Sequence, residues 1–144
     1  MSLGKISAVS IVDANVLAIE WDDGKCSRVD LSEIVAGHKA LVPLADAKQF
    51  SGVYISADGW SLEWPGGIDF GTTQLRRWAD EQAGEAMPSA DFRRWMATNG
   101  LTLDSAAKAL GLSRRTIAYY LSGEQPVPKT VMLATIGYAR QKVA

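Results

Sequence analysis

Hydrophobic and polar positions change their period once along this chain. In the first half, β-branched and aromatic residues alternate with polar ones in short runs bounded by turn residues, which is typical of β-strands. Three such runs predict strands at residues 5–12, 16–21 and 26–29. Asp22-Asp23-Gly24 separates the second run from the third and favours a tight hairpin, because an Asp-Gly pair tolerates positive φ angles. The chain is therefore predicted to open with an antiparallel meander.

A second hairpin is predicted further along. Asp58-Gly59 joins a run at residues 53–56 to one at 60–64. Pro65-Gly66-Gly67 follows and predicts the end of this sheet, since proline and glycine interrupt strands. Between the two hairpins, residues 31–37 predict one short helix.

From Thr72 the apolar residues recur at helical spacing, and a helix is predicted to about Ala83. No run beyond Pro88 has the alternation of a strand. The predicted fold class is α+β: a small domain of meander, hairpin and short helices at residues 1–84, a linker at 85–88, and an all-α domain of four to five helices at 89–144.

Composition narrows the class of protein. Hydrophobic residues make up 47% of the 144 and charged residues 22%, with a single cysteine, which excludes a disordered tail, a collagen-like chain and a disulfide scaffold. No apolar run approaches the roughly 20 residues needed to span a bilayer, and no secretory signal precedes the first strand. We expect a cytoplasmic protein that does not bind membranes.

The net charge of −1 is unevenly distributed. Residues 1–88 carry 7 Lys and Arg against 13 Asp and Glu, whereas residues 89–144 carry 8 against 3. The first part is thus acidic and the second basic, which indicates two domains with different partners. The basic part is the candidate for nucleic-acid binding, because a duplex is a line of closely spaced negative charges.

Two short helices are predicted around a glycine turn in the basic part, as in a helix-turn-helix. Thr102 would cap the first and Ser113 the second. Three positions have steric reasons for their residues. Ala107 is small where the second helix crosses, Gly111 permits a left-handed turn, and Ile117 is the apolar side chain between the helices.

The stretch from Leu101 to Gly123 resembles the core of the Cro and phage-repressor family of helix-turn-helix domains, and residues 126–138 resemble that family's next helix. The resemblance covers about residues 89–141. It implies a lambda-repressor-like DNA-binding domain whose second helix, at 113–121, enters the major groove.

Candidate DNA-contacting residues follow from this arrangement. The outward positions of the second helix are expected to contact bases, because arginine matches the O6 and N7 acceptors of guanine and small or hydroxyl side chains reach other base edges. These residues are Arg114, Arg115, Thr116, Ala118 and Tyr119. Backbone phosphates are expected at Thr102, Lys108, Ser113, Ser122 and Lys129. The glutamine-type reader usual in the family is replaced here by the arginine pair, so the family's base preference is not carried over.

The acidic part also resembles a known family. Asp23-Gly24, Val29-Asp30-Leu31, Phe50, Val53 and the segment from Trp60 to Asp69 are similar to a small bacterial family of α+β domains of unknown function, numbered 2442 (DUF2442). This resemblance covers residues 5–82. Members occur alone or ahead of a repressor-like helix-turn-helix, and some resemble antitoxin components. The family has no established catalytic residues, so none is implied.

Other candidate sites are weak. His38 is the only histidine and has no second histidine or cysteine to complete a metal site. Cys26 lies in a predicted strand and is expected to be a small buried thiol. Four aspartates at predicted turns are explained by turn chemistry; they are Asp22, Asp23, Asp58 and Asp69. The tryptophans are expected mostly in the core. We predict no catalytic residue, no cofactor and no metal.

Three hypotheses remain. The first is a sequence-specific DNA-binding transcriptional regulator, not an enzyme, which binds double-stranded DNA as a homodimer because one recognition helix contacts only a half-site. An antitoxin-like autoregulator that holds a toxin or other protein on its acidic domain is one form of it. The second is a protein-interaction module that never binds DNA. The third is a ligand-sensing or enzymatic N-terminal domain with a deep pocket near Trp60 and Trp64.

Overall fold

The structure, a computed structural model, describes residues 4–143. These residues form two compact units. The first unit ends at Gln82 and the second unit begins at Ala83.

An antiparallel meander opens the first unit. It consists of β1 (Ile6–Asp13), β2 (Val16–Trp21) and β3 (Cys26–Asp30), in that order across the sheet. Alternate residues of β2 are buried, namely Leu17, Ile19 and Trp21. The two-residue period predicted from the sequence therefore sets which face of the sheet covers the core.

Short helical segments follow the meander. They are α1 (Ser32–Gly37), a 3₁₀ helix (Lys39–Ala45) and α2 (Ala47–Phe50). Of these, the sequence predicted only α1. Asp30 stabilises its start, since the Asp30 carboxylate accepts hydrogen bonds from the backbone N–H and the hydroxyl of Ser32 at 2.9 and 2.6 Å.

A second sheet and a helix complete the first unit. The strands β4 (Tyr54–Ile55), β5 (Ser61–Trp64) and β6 (Ile68–Gly71) are antiparallel, and α3 (Thr72–Gln82) follows. The predicted end of the sheet at Pro65-Gly66-Gly67 was wrong. This segment is instead a turn, with φ angles of 102° and 91° at its two glycines, and it returns the chain into β6.

Aromatic side chains dominate the core of the first unit. Trp64 donates from Nε1 to the Phe50 carbonyl at 2.9 Å, and Trp21 donates to the Ser27 hydroxyl at 2.8 Å. Large apolar groups with a polar edge are thereby buried without an unsatisfied donor. The tryptophans lie mostly in the core, as expected, and Trp60, which is 40% exposed, is the exception.

Four helices form most of the second unit. They are α4 (Ser89–Thr98), α5 (Leu103–Leu110), α6 (Arg114–Ser122) and α7 (Lys129–Val143). Their shared core consists of Phe92, Trp95, Met96, Ala106, Ala107, Ile117, Tyr120, Val127 and Val131. The mixed α+β class is confirmed, with strands confined mainly to the first unit.

One detail of the second unit differs from expectation. A strand pair, β7 (Ala86–Met87) with β8 (Val127–Pro128), joins the start of the unit to the segment before α7. The sequence predicted no strand beyond Pro88, because two-residue strands leave no alternation to detect.

No helix within residues 4–143 is long and apolar enough to cross a membrane.

Two isoleucines of the second unit allow a matched test of its core. Ile117 is fully buried, whereas Ile136 is 54% exposed. We expect Ile117→Ala to lower the free energy of unfolding by about 2–5 kcal/mol, because it removes apolar contacts and leaves a cavity. Ile136→Ala should change it by less than about 0.5 kcal/mol. Urea denaturation followed by far-UV circular dichroism measures both, and equal losses would contradict the packing described.

Candidate nucleic-acid interface

A glycine turn joins α5 to α6. Gly111 has a φ of 69°, in the left-handed region, and the backbone N–H of Leu112 donates to the Ala107 carbonyl at 2.9 Å. The turn therefore closes the carbonyl end of α5 and redirects the chain within three residues. This is the helix-turn-helix arrangement that the sequence predicted.

Small and apolar residues hold α5 and α6 together. Ala107 is buried at 7% exposure and Ile117 at 0%, both within the same core cluster. Because a helix has 3.6 residues per turn, burying Ile117 and Tyr120 directs the positions between them outward. One face of α6 is thereby fixed against the core and the other is left for solvent.

Both helices carry the N-terminal caps predicted for them. The Thr102 hydroxyl accepts from the Ser105 backbone N–H at 3.2 Å, and the Ser105 hydroxyl accepts from the Thr102 N–H at 2.8 Å. At α6, the Ser113 hydroxyl accepts from the Thr116 N–H at 3.1 Å. The capped ends orient backbone amides outward, where a phosphate oxygen can accept from them.

The outward face of α6 contains the five residues proposed from the sequence as base-contacting. Arg114, Arg115 and Ala118 are exposed, and Thr116 and Tyr119 are half-buried. Arg114, Arg115 and Thr116 lie in the first turn of the helix. A cationic N-terminal turn on an exposed helix is the geometry in which base contacts are made in the major groove.

Intramolecular contacts hold both arginines. The Arg114 Nε lies 2.9 Å from an oxygen of Asp104, on α5. The Arg115 Nε donates to the Tyr119 hydroxyl at 2.6 Å, and its guanidinium lies 5.5 Å from the centre of that ring. The (i, i+4) spacing of Arg115 and Tyr119 signals their contact from sequence alone. The contact with Asp104 crosses between helices, and no local spacing reports it.

The residues proposed for phosphate contact are spread over the unit. Thr102 and Ser113 lie at helix N-termini and Lys108 is exposed in the last turn of α5. Lys129 begins α7 and lies 3.4 Å from the carboxylate of Glu85. Ser122 lies at the opposite end of α6, and its hydroxyl donates to the Tyr119 carbonyl at 3.2 Å.

Arg93 is a residue that the sequence did not single out. It lies on α4, and its guanidinium donates to the Leu121 carbonyl at 2.8 Å. The positive charge satisfies a carbonyl at the end of α6 and opposes the negative end of the helix dipole. Arg93 of α4 thus stabilises the C-terminal end of α6.

Shifted pKa values lie mainly outside this surface. Burial raises the pKa of the Tyr120 phenol. Lowered carboxyl pKa values belong to turns of the first unit. The Lys25 backbone N–H lowers the pKa of Asp23, and hydroxyl donors from Ser32 and Ser56 lower those of Asp30 and Asp58. Each carboxylate accepts a hydrogen bond within its own turn, and Asp23 also pairs with Arg76 of α3 at 3.0 Å.

An open hollow of about 290 Å³ lies on the first unit. Tyr54, Glu63 and Asp69 line it in a row across β4, β5 and β6, with Trp64 and the following turn at its edge. A hydrogen bond to Glu63 raises the pKa of the Tyr54 phenol. Of the two tryptophans named by the ligand-sensing hypothesis, Trp64 lines this hollow and Trp60 does not.

The weak candidates for chemistry lie apart. No group of three or more His, Cys, Asp or Glu side chains comes together within residues 4–143. His38 is exposed, with its Nδ1 3.0 Å from the Ile34 carbonyl. Cys26 is also exposed, which corrects the expectation of a buried thiol. Its strand borders solvent on the face away from Val29.

Fold and site together define a helix-turn-helix protein that also carries an antiparallel α+β unit. A family profile described as a helix-turn-helix domain matches residues 73–137. A profile described as protein of unknown function DUF2442 matches residues 6–81, more than half of the chain. The chain belongs to this DUF2442 family, and both resemblances predicted from the sequence are confirmed.

A solved structure resembles most of the chain. It is the crystal structure of "Putative DNA Binding Protein NE0471" from Nitrosomonas europaea ATCC 19718, at 35% sequence identity. The match covers 94% of this chain and 86% of that one, with a TM-score of 0.56. A search of curated proteins finds no significant match.

Two glycines of the second unit should respond in opposite directions to alanine. Apart from chain neighbours and the backbone of the same helix, no atom would lie within 4 Å of a Cβ at either Gly111 or Gly137, so the backbone conformation decides the effect. Gly111→Ala should destabilise by about 1–2 kcal/mol, because a Cβ disfavours the left-handed conformation. Gly137, inside α7, lacks this constraint, and Gly137→Ala should stabilise by about 0.5–1 kcal/mol. Thermal denaturation tests this, and a stabilising Gly111→Ala would contradict the turn geometry.

Proposed function

We propose that this protein is a sequence-specific DNA-binding transcriptional regulator that places α6 in the major groove. One observation carries the proposal. The capped, exposed N-terminal turn of α6 presents two adjacent arginines, while its opposite face is buried against α5. Arginine is the side chain that most often contacts guanine in the major groove.

The residues divide into two roles in this proposal. Arg114, Arg115, Thr116, Ala118 and Tyr119 face base edges. Thr102, Lys108, Ser113, Ser122 and Lys129 contact phosphates, which positions the helix without specifying sequence. Ala107, Gly111 and Ile117 maintain the angle between α5 and α6.

The distribution of charge supports the same surface. Residues 89–144 have five more cationic than anionic side chains, and residues 1–88 have six fewer. The basic part is attracted to a duplex over about a Debye length, whereas the acidic part is repelled. This asymmetry favours contact through the second unit.

The oligomeric state and regulatory role follow from general properties of such proteins. A single recognition helix covers one half-site, so we infer a homodimer on a two-fold symmetric operator. The resemblance to antitoxin-containing DUF2442 proteins suggests an autoregulator in the cytoplasm whose acidic first unit binds a toxin or another protein. The name of the relative from Nitrosomonas europaea supports DNA as a partner of this chain as well.

Fluorescence anisotropy tests whether the protein binds DNA. The full chain is titrated into labelled duplex from its own upstream region and into a scrambled duplex of equal length, across a salt series. We expect tighter binding to the native sequence and a logarithm of affinity that falls linearly with the logarithm of salt concentration. Absence of binding to both duplexes at low salt would overturn the proposal and favour a protein-interaction role.

A double substitution tests which surface binds. Replacing Arg114 and Arg115 by Ala should lower affinity for the native duplex at least tenfold, since each base-contacting arginine contributes roughly 1–3 kcal/mol. The control replaces Arg94 and Arg140, both exposed on α4 and α7, and removes the same charge. Anisotropy at one salt concentration compares the two variants. Equal losses would show a general charge effect, and the assignment of α6 would fail.

A further inference from the structure

The two arginines at the start of α6 are held in different directions. Arg114 turns back towards α5, where its Nε lies 2.9 Å from Asp104. Arg115 follows α6, where its Nε donates to the Tyr119 hydroxyl at 2.6 Å, one turn along the same helix. Adjacent residues of one type therefore present their guanidinium groups in unlike surroundings.

Arg115 keeps most of its donors free. An arginine has five N–H donors, and only the Nε donor of Arg115 has a partner among residues 4–143. Both Nη groups remain, and these form the end-on fork that matches the O6 and N7 acceptors of guanine. The side chain is exposed, so nothing on its own helix blocks that fork.

Tyr119 restricts the motion of Arg115 before any DNA arrives. The hydroxyl accepts from Nε, and the ring lies 5.5 Å from the guanidinium carbon. Tyr119 is half-buried and precedes Tyr120, which lies in the core. The motion of the Tyr119 side chain is therefore more restricted than that of a fully exposed one. A side chain that is already ordered loses less rotamer entropy on binding than a free one.

Arg114 is likewise held through its Nε, and it differs from Arg115 in the charge of its partner. Its partner Asp104 carries a negative charge on an exposed part of α5. If Arg114 left to contact a base, that carboxylate would face a DNA surface of the same sign without its cation. The two side chains are 65% and 75% exposed, so the ion pair is weak and screened by salt. It nevertheless favours keeping Arg114 beside Asp104.

We propose that Arg115, positioned by Tyr119, is the guanine-reading residue of α6, and that Arg114 neutralises Asp104 and adds only sequence-independent attraction. This inference rests on the proposed function and divides the role that the arginine pair shares there. Tyr119, placed among the base-contacting residues above, is reassigned here to a positioning residue that acts through Arg115.

Selection from a random-sequence duplex library, with the full-length wild-type protein, identifies the preferred site. Affinities are then measured by anisotropy for that site and for a duplex in which its fixed guanine is replaced by adenine. Their ratio is the guanine preference. We expect the wild-type protein to enrich a site with a fixed guanine in each half, and Arg115→Ala to abolish the preference.

Tyr119→Phe is the sharper variant, because it removes one hydroxyl and keeps the ring. It should reduce the guanine preference by about three- to tenfold, the effect of one hydrogen bond. The salt dependence of DNA binding and the melting temperature of the protein should not change. If Tyr119 had only a packing role, the guanine preference would not change either. Arg114→Ala should weaken binding to both duplexes by the same factor.

The outcomes separate this inference from the function on which it rests. If the wild-type protein enriches no sequence, the proposed function fails and the inference fails with it. If it enriches a site without a fixed guanine, or if Tyr119→Phe keeps the full guanine preference, the inference fails and DNA recognition stands. Loss of the preference in Arg114→Ala but not in Arg115→Ala would also overturn it.

Discussion

The burial of Ile117 between α5 and α6 is the constraint on which the second unit depends. Its side chain is fully buried, and Ala107 of α5 is buried in the same core cluster. Once Ile117 faces the core, helical geometry leaves Arg115 and Ala118 facing away from it, whereas Arg114 is exposed because it begins the helix. The exposed face of α6 is therefore a consequence of packing, and its chemistry is set by which side chains occupy it.

The two units differ in what stabilises them and in what they present. Pairs of strands and an aromatic core build the first unit, and Arg76 joins its last helix to the meander by a 3.0 Å ion pair with Asp23 and by stacking over Trp21 at 4.5 Å. Short capped helices build the second unit. Acidic side chains predominate in the first and basic ones in the second, so electrostatics alone favours the second unit as the side that approaches DNA.

The sequence predicted those elements that depend on residues close together along the chain. The meander, α3 and the helix-turn-helix, with caps at Thr102 and Ser113, follow from residue period and turn chemistry. The prediction at Gly66 and Gly67 was wrong, because a turn between paired strands and the end of a sheet contain the same residue types. The ion pair between Arg114 and Asp104 needs the angle between two helices, which no spacing along the chain gives.

Amide chemical shifts of the ¹⁵N-labelled full chain with a short mixed-sequence duplex at low salt test the central claim most directly. Phosphate contacts do not depend on sequence, so the interface is visible before the operator is known. The account predicts that the largest shifts cluster at the N-termini of α5 and α6, around Thr102 and Ser113–Ala118, with the first unit unchanged. Shifts concentrated in the first unit, or on α7 away from α6, would contradict it.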